Sequence, residues 1–152
     1  MNRKLKQALA RATDPSQGVL IEAVEHLVHD DPATSWDIFE AADNLAIGVY
    51  TLRDYEEHGL LAVPQDAQGQ RYYDATTIRR LAFIHHLHTA GISIANLQVY
   101  VALVDAGPET IPQRLNLMLE YRDTLRRQIA QLQAALVTAE YEIMTCQEDS
   151  TV

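Results

Sequence analysis

Apolar residues recur at spacings of three and four through most of this chain, and the breaks in that rhythm divide it into segments. The first segment, Arg3 to Ala12, places Leu5, Ala8, Leu9 and Ala12 on one helical face. It stops ahead of Asp14-Pro15, because the residue before a proline avoids the α region. A second segment opens near Ser16, groups Leu20, Val24, Leu27 and Val28, and ends at Asp30-Asp31-Pro32. Residues 1–35 therefore read as an amphipathic extension, able to pack on the rest of the protein or to reach a partner.

The next helix is expected to start at Asp37. Its carboxylate can accept hydrogen bonds from the free N–H groups of the first turn, while Glu40 completes a capping-box pair. Ile38, Ala41, Ala42 and Leu45 give this helix its apolar face. A turn through Ala46-Ile47-Gly48 leads into a second helix, Val49 to His58, with Leu52 and Tyr55 facing inward and Gly59 as a left-handed C-cap. Two helices joined this way make a helix-turn-helix. From Leu61 to Tyr73 the pattern suits a short hairpin, a wing, with its turn near Ala67-Gln68-Gly69. Helices follow from about Ala75 to Ala90 and from Ser93, as N-cap, to Val104, and Asp105-Ala106-Gly107-Pro108 then breaks the pattern.

Beyond that break, Leu115, Met118, Leu125, Ile129, Leu132, Leu136, Ala139, Ile143 and Cys146 alternate threes and fours, with one position skipped at Arg122. A seam this narrow, held for about four heptads, signals a coiled coil and needs a partner helix. The chain has no second long helix to supply one, so homodimerisation through Leu115, Met118, Leu125, Ile129, Leu132, Leu136, Ala139 and Ile143 follows. The fold class is mainly α: a winged helix-turn-helix domain with a small β-hairpin wing, plus a long C-terminal coiled-coil helix. The expected organisation is an extension over 1–35, the winged domain over 36–104, a linker over 105–111, the dimerisation helix over 112–147 and a tail over 148–152.

Composition narrows the function. An apolar content of 47% in 152 residues is enough for an ordinary core. No apolar run reaches the roughly 20 residues of a membrane span, and the N-terminus lacks a secretory pattern, which points to the cytoplasm. There is no Gly-rich phosphate loop, nucleophile elbow or carboxylate pair to suggest an enzyme, and no cofactor is implied. The single cysteine, Cys146, forms neither an intramolecular disulfide nor a metal site alone; it reads as a small buried apolar residue of the seam or as a redox-active thiol. Charge pulls the other way from nucleic acid. The net charge is −9. Between Trp36 and Gly91 only Arg53, Arg71, Arg79 and Arg80 face Asp37, Glu40, Asp43, Asp54, Glu56, Glu57, Asp66 and Asp74. A polyanion is bound largely through Lys and Arg on phosphate, so an acidic domain starts at a disadvantage.

Three motifs nevertheless stand in order: Thr51-Leu52-Arg53-Asp54-Tyr55-Glu56-Glu57-His58-Gly59-Leu60-Leu61, then Gly69-Gln70-Arg71-Tyr72-Tyr73, then Ile78, Leu81, Phe83, Ile84, Leu87 and Gly91. Together they resemble the DNA-binding domain of the MerR family of bacterial transcription regulators, over roughly Asp37 to Met144. The resemblance implies an antiparallel dimer on double-stranded DNA, at a pseudo-palindromic promoter operator that it distorts for RNA polymerase. It also implies that Gly48, Tyr50, Thr51, Arg53 and Tyr55 face DNA from the helix, and Gln70, Arg71 and Tyr73 from the wing. Arg53 is the strongest single candidate, since its guanidinium can grip phosphate or a guanine edge with two hydrogen bonds.

The chain also departs from the family pattern, with Asp54 and Gln70 standing where aromatic residues are usual. Other readings stay open at several positions. Arg71 can instead pair with Glu56 or Glu57, and Tyr55 and Tyr73 can pack in the core. His85, His86 and His88 can form a solvated helix face, hold a metal poorly, or act as conditional cations that strengthen DNA binding on acidification. Metal sensing through thiolates, as in some relatives, would need cysteines near the linker that this chain does not have. The competing function is a protein-interaction dimer whose degenerate helix-turn-helix binds DNA weakly or not at all.

Overall fold

The computed structural model describes residues 3–12, 25 and 31–149. The element order is α1 (Arg3–Ala12), β1 (Ser35–Trp36), α2 (Ile38–Leu45), α3 (Val49–Glu57), β2 (Tyr73–Asp74), α4 (Ala75–Thr89), α5 (Ile94–Ala106), a 3-10 turn (Pro108–Thr110) and α6 (Ile111–Asp149). The first helix has the expected ends, whereas the helix expected from Ser16 lies outside the described residues. The chain divides into two compact units, Met1–Val101 and Ala102–Val152.

The first unit is built by helix ends that the sequence specifies. Asp37 caps α2 by accepting from Phe39 N and Glu40 N at 2.7 and 2.8 Å, and Glu40 returns the favour by accepting from Asp37 N at 2.9 Å. Asp74 caps α4 by accepting from Thr77 N at 2.8 Å, and Ser93 Oγ accepts from Asn96 N at the start of α5. Each such cap satisfies N–H groups that the helix leaves open, at about 1 kcal/mol. The α3 helix ends through Gly59 at φ 69°, a left-handed conformation that costs glycine little. Ala46 holds a left-handed φ of 52° between α2 and α3 without that freedom.

These ends turn one apolar face of each helix inward. Leu52, Leu60, Ile78, Leu81, Ile84 and Leu97 are completely buried and make the centre of the unit. Each contributes about 1.5–3 kcal/mol of transfer free energy. Gln98 on α5 donates to the carbonyl of His58 at 2.8 Å, tying α5 to the end of α3.

The expected hairpin is present, and a short sheet is added beside it. The two-stranded antiparallel sheet pairs Ser35 with Asp74 and Trp36 with Tyr73. The wing itself closes through one isolated bridge, Gln65 with Arg71, around a turn in which Gly69 N donates to Asp66 O. Asp66 also accepts from Gln68 N and Gln70 N, so its side chain shapes the turn that the sequence places near Ala67-Gln68-Gly69. Ser35 thus belongs to the winged domain and not to an independent extension.

In the second unit, Gly107 at φ 116° and the turn Pro108–Thr110 form a tight connection, with the Thr110 hydroxyl donating to the carbonyls of Leu103 and Gly107. The α6 helix then runs 39 residues, beginning inside the expected linker and continuing into the expected tail. At 1.5 Å per residue it is about 58 Å long. Leu115, Ile129, Leu132, Leu136 and Ile143 are exposed in the single protomer, between 50% and 69%. Two features of α6 were missed from the pattern. Tyr121, next to the skipped position Arg122, is buried, and its hydroxyl pKa is raised by burial and by Glu120. Val137, Tyr141 and Met144 form a second exposed apolar stripe, on a different side of the helix from the seam.

Candidate nucleic-acid interface

The N-terminus of α3 has no side-chain cap, in contrast to α2, α4 and α5. Gly48 occupies the N-cap position with extended geometry, at φ −62° and ψ 140°. A Cβ built there would touch only Thr51 Oγ1, at 3.8 Å. The protein itself therefore leaves room beside this helix end, and the N–H groups of the first turn carry the positive end of the helix dipole outward. Tyr50 in the same turn is 91% exposed, an unusual cost for a tyrosine in a monomeric fold. Arg53, one turn further, is exposed as well, and Thr51 is half-buried between them. Four of the expected DNA-facing residues thus share the outer side of one short helix.

Tyr55 does not join them. Its ring is completely buried, and its hydroxyl lies 3.0 Å from His85 Nδ1 and 2.9 Å from His88 Nδ1. The tyrosine falls three positions after Leu52, on the inward face, which decides between the two readings of this residue in favour of the core. Burial, with a smaller contribution from Asp54, pushes its pKa up to about 12. His85 and His88 are accordingly not a freely solvated pair. Burial, followed by the charges of His86 and His88, lowers the pKa of His85. His86 points elsewhere, donating from Nδ1 to the carbonyl of Ala82. Among the described residues no group of three or more His, Cys, Asp or Glu side chains could hold a metal ion.

Tyr73, expected on the wing's DNA side, is also buried, and its hydroxyl donates to Glu56. Burial and this hydrogen bond raise its pKa well above the ordinary tyrosine range. Arg71 pairs with the other oxygen of Glu56, as the ion-pair reading anticipated. Half of the Arg71 side chain remains exposed, so one residue both anchors the wing to α3 and presents charge to solvent. Gln70 is exposed beside it at the wing tip.

The same contacts change the meaning of the acidic composition. Of the eight acidic residues between Trp36 and Gly91, Asp37, Glu40, Asp66 and Asp74 accept backbone N–H bonds, and Glu56 is held by Arg71 and Tyr73. A fixed carboxylate facing N–H dipoles or a guanidinium projects less negative potential than a free one. Asp54, at the position usually aromatic, lies 3.3 Å from His58 Nδ1. Formal charge therefore overstates how repulsive the domain is to a polyanion.

Comparison with known proteins agrees with this geometry. The model of the MerR HTH family regulatory protein matches residues 37–103, and that of the MerR DNA-binding region matches residues 78–138. An HTH-type transcriptional regulator from Haemophilus influenzae is 30% identical over 105 residues, spanning 68% of this chain and 78% of its own. The HTH-type transcriptional regulator AdhR of Bacillus subtilis is 33% identical over 90 residues, 59% of this chain and 64% of its own. Among solved structures, HiNmlR, a MerR family regulator lacking the sensor domain and bound to promoter DNA, aligns at a TM-score of 0.72 with 28% identity, covering 78% of this chain and 95% of that one. A MerR family transcriptional regulator from Listeria monocytogenes aligns at 0.66 with 30% identity, covering 70% and 82%. The uncapped, tyrosine-bearing helix and its wing are those of a DNA-binding transcriptional regulator, and the chain belongs to the MerR family.

Proposed function

We propose that this regulator acts as a homodimer, paired through the exposed seam of α6, which sets two copies of α3 into successive major grooves of a pseudo-palindromic promoter operator. The observation that carries the reading is the outer face of α3, where exposed Tyr50 and Arg53 flank a helix N-terminus with room for a phosphate. Arg53 supplies the charge-assisted contact, to phosphate or to a guanine edge, and Tyr50 and Thr51 supply hydroxyls that fix register on the backbone. Arg71 and Gln70 extend the contact from the wing to flanking DNA. Tyr55 and Tyr73 act from inside, holding α3 and the wing in place.

HiNmlR, which lacks a sensor domain and is bound to promoter DNA, supports the view that the winged domain and dimer helix suffice for DNA binding. The resemblance to the family further supports promoter distortion as the mechanism, with RNA polymerase as the beneficiary. Bending and untwisting a site of this size costs on the order of a few kcal/mol, which the contacts of two half-sites can supply. No described helix is long and apolar enough to cross a membrane. Selection of bound sequences from a random duplex library tests the reading. An enriched inverted repeat with wild-type protein, absent with Arg53→Ala, is the expected result; the same repeat with both proteins would remove Arg53 from the interface.

A further inference from the structure

One hydroxyl joins the recognition helix to the helix behind the wing. The Tyr55 oxygen on α3 meets two imidazole nitrogens from α4, His85 Nδ1 at 3.0 Å and His88 Nδ1 at 2.9 Å, and the rings stand edge to face at 62° and 75°. A phenol has one proton to give. It can donate to one Nδ1 only if that nitrogen is unprotonated, and it can accept from the other only if that nitrogen carries a hydrogen. The cluster therefore closes with one imidazole as acceptor and one as donor. The donor ring can be neutral or cationic without altering this arrangement, because its Nδ1–H is present either way. The acceptor ring cannot take a proton: both nitrogens would then be donors, the phenol's own hydrogen would lose its partner in the core, and two cations would share one oxygen.

We propose that Tyr55, His85 and His88 are positioning residues for DNA recognition, forming a latch that tolerates one bound proton and opens on the second, so that mild acidification weakens operator binding. The inference rests on the DNA-binding reading above. His85 fits the acceptor role, since its burial disfavours the charged ring. The remaining groups around the latch do little to offset a second charge. The α3 helix contributes Asp54, which already lies beside His58, and α4 contributes His86. The α5 helix carries no charged side chain before Asp105. The linkage has a definite sign. A histidine whose folded pKa is depressed favours the closed state at neutral pH, and that contribution is lost as pH falls from about 6.5 through the folded value. This is opposite to the conditional-cation expectation, under which acid would strengthen binding.

The test uses the full-length dimer and a duplex selected by it from a random library, with affinity measured between about pH 7.5 and 5.5 at constant ionic strength. Three proteins are compared: wild type, His85→Asn, whose amide oxygen can occupy the place of Nδ1 as an acceptor that does not titrate, and Tyr55→Phe, which keeps the ring and removes the latch. Wild type is expected to lose about tenfold in affinity across the range, the size of about one unit of differential protonation. His85→Asn should lose most of the pH dependence, whatever its affinity at pH 7.5. Tyr55→Phe should bind more weakly at pH 7.5 with a flattened profile, while circular dichroism shows it folded. A wild-type affinity that rises on acidification, or a profile equally steep in His85→Asn, would overturn the latch. Absence of any selected duplex at neutral pH and low salt would instead overturn the DNA-binding reading on which it rests.

Discussion

The two compact units of this protein treat their chemically active surfaces in opposite ways. In the first, many groups able to interact are used internally: carboxylates cap helices or shape the wing, the hydroxyls of Tyr55 and Tyr73 are bonded across elements, and Leu52, Leu60, Ile78, Leu81, Ile84 and Leu97 are fully buried. On the outside of α3, Tyr50 and Arg53 stay exposed. In the second, a 39-residue helix leaves large apolar side chains uncovered along most of its length. The contrast teaches that each unit can be read by what it leaves unsatisfied. Open N–H groups with an exposed arginine and tyrosine suit an anionic partner, and an open apolar seam suits another copy of itself.

Breaking the second unit should have the largest effect. Leu132 is 69% exposed in the protomer, so Leu132→Glu would cost under about 0.5 kcal/mol if that surface stayed bare. On a dimer seam it places two charges in an apolar interface, and we expect dissociation to monomers in analytical ultracentrifugation together with loss of operator affinity by about 100-fold or more. In the first unit, Arg53→Ala should weaken operator binding by about 1–3 kcal/mol with an unchanged melting temperature. Loss of a phosphate contact would also reduce the slope of log affinity against log salt by about one; an unchanged slope with altered sequence preference would assign Arg53 to a base instead.

The internal network should respond in stability more than in binding. Glu56→Ala leaves the buried Tyr73 hydroxyl without its acceptor and Arg71 without its carboxylate, and should cost about 1–3 kcal/mol in urea denaturation. The smallest effect should come from Ala46→Gly, which relieves a left-handed alanine and should stabilise by about 1 kcal/mol or less without changing affinity.

Much of the first unit was legible because its signals are local. The Asp37–Glu40 capping box, Ser93 as N-cap, Gly59 as left-handed terminator and the inward Leu52 all depend on residues within four positions of one another. The contacts that redefined the interface span longer separations. Tyr55 meets histidines 30 and 33 residues away, and Tyr73 meets Glu56 17 residues away, so the sequence offered each tyrosine two roles with no means of choosing. Strand β1 was invisible for a different reason: two residues cannot show alternation, and Ser35–Trp36 gain their identity only by pairing with Tyr73–Asp74. Formal charge was a poor guide for a related reason. Five of the eight acids between Trp36 and Gly91 are engaged by backbone N–H groups, Arg71 or Tyr73, which weakens the main support of the protein-interaction alternative.

Gly48→Asp tests the central claim, that the uncapped start of α3 is open for DNA and not merely unoptimised. Aspartate at an N-cap can accept from the same N–H groups a phosphate would use, and a few tenths to about 1 kcal/mol of added stability follows. The measurement is the melting temperature and the operator affinity of this one variant, side by side. A higher melting temperature with affinity reduced by about tenfold or more is the predicted result. A higher melting temperature with affinity unchanged would show that the helix end is not part of the interface and would contradict the account.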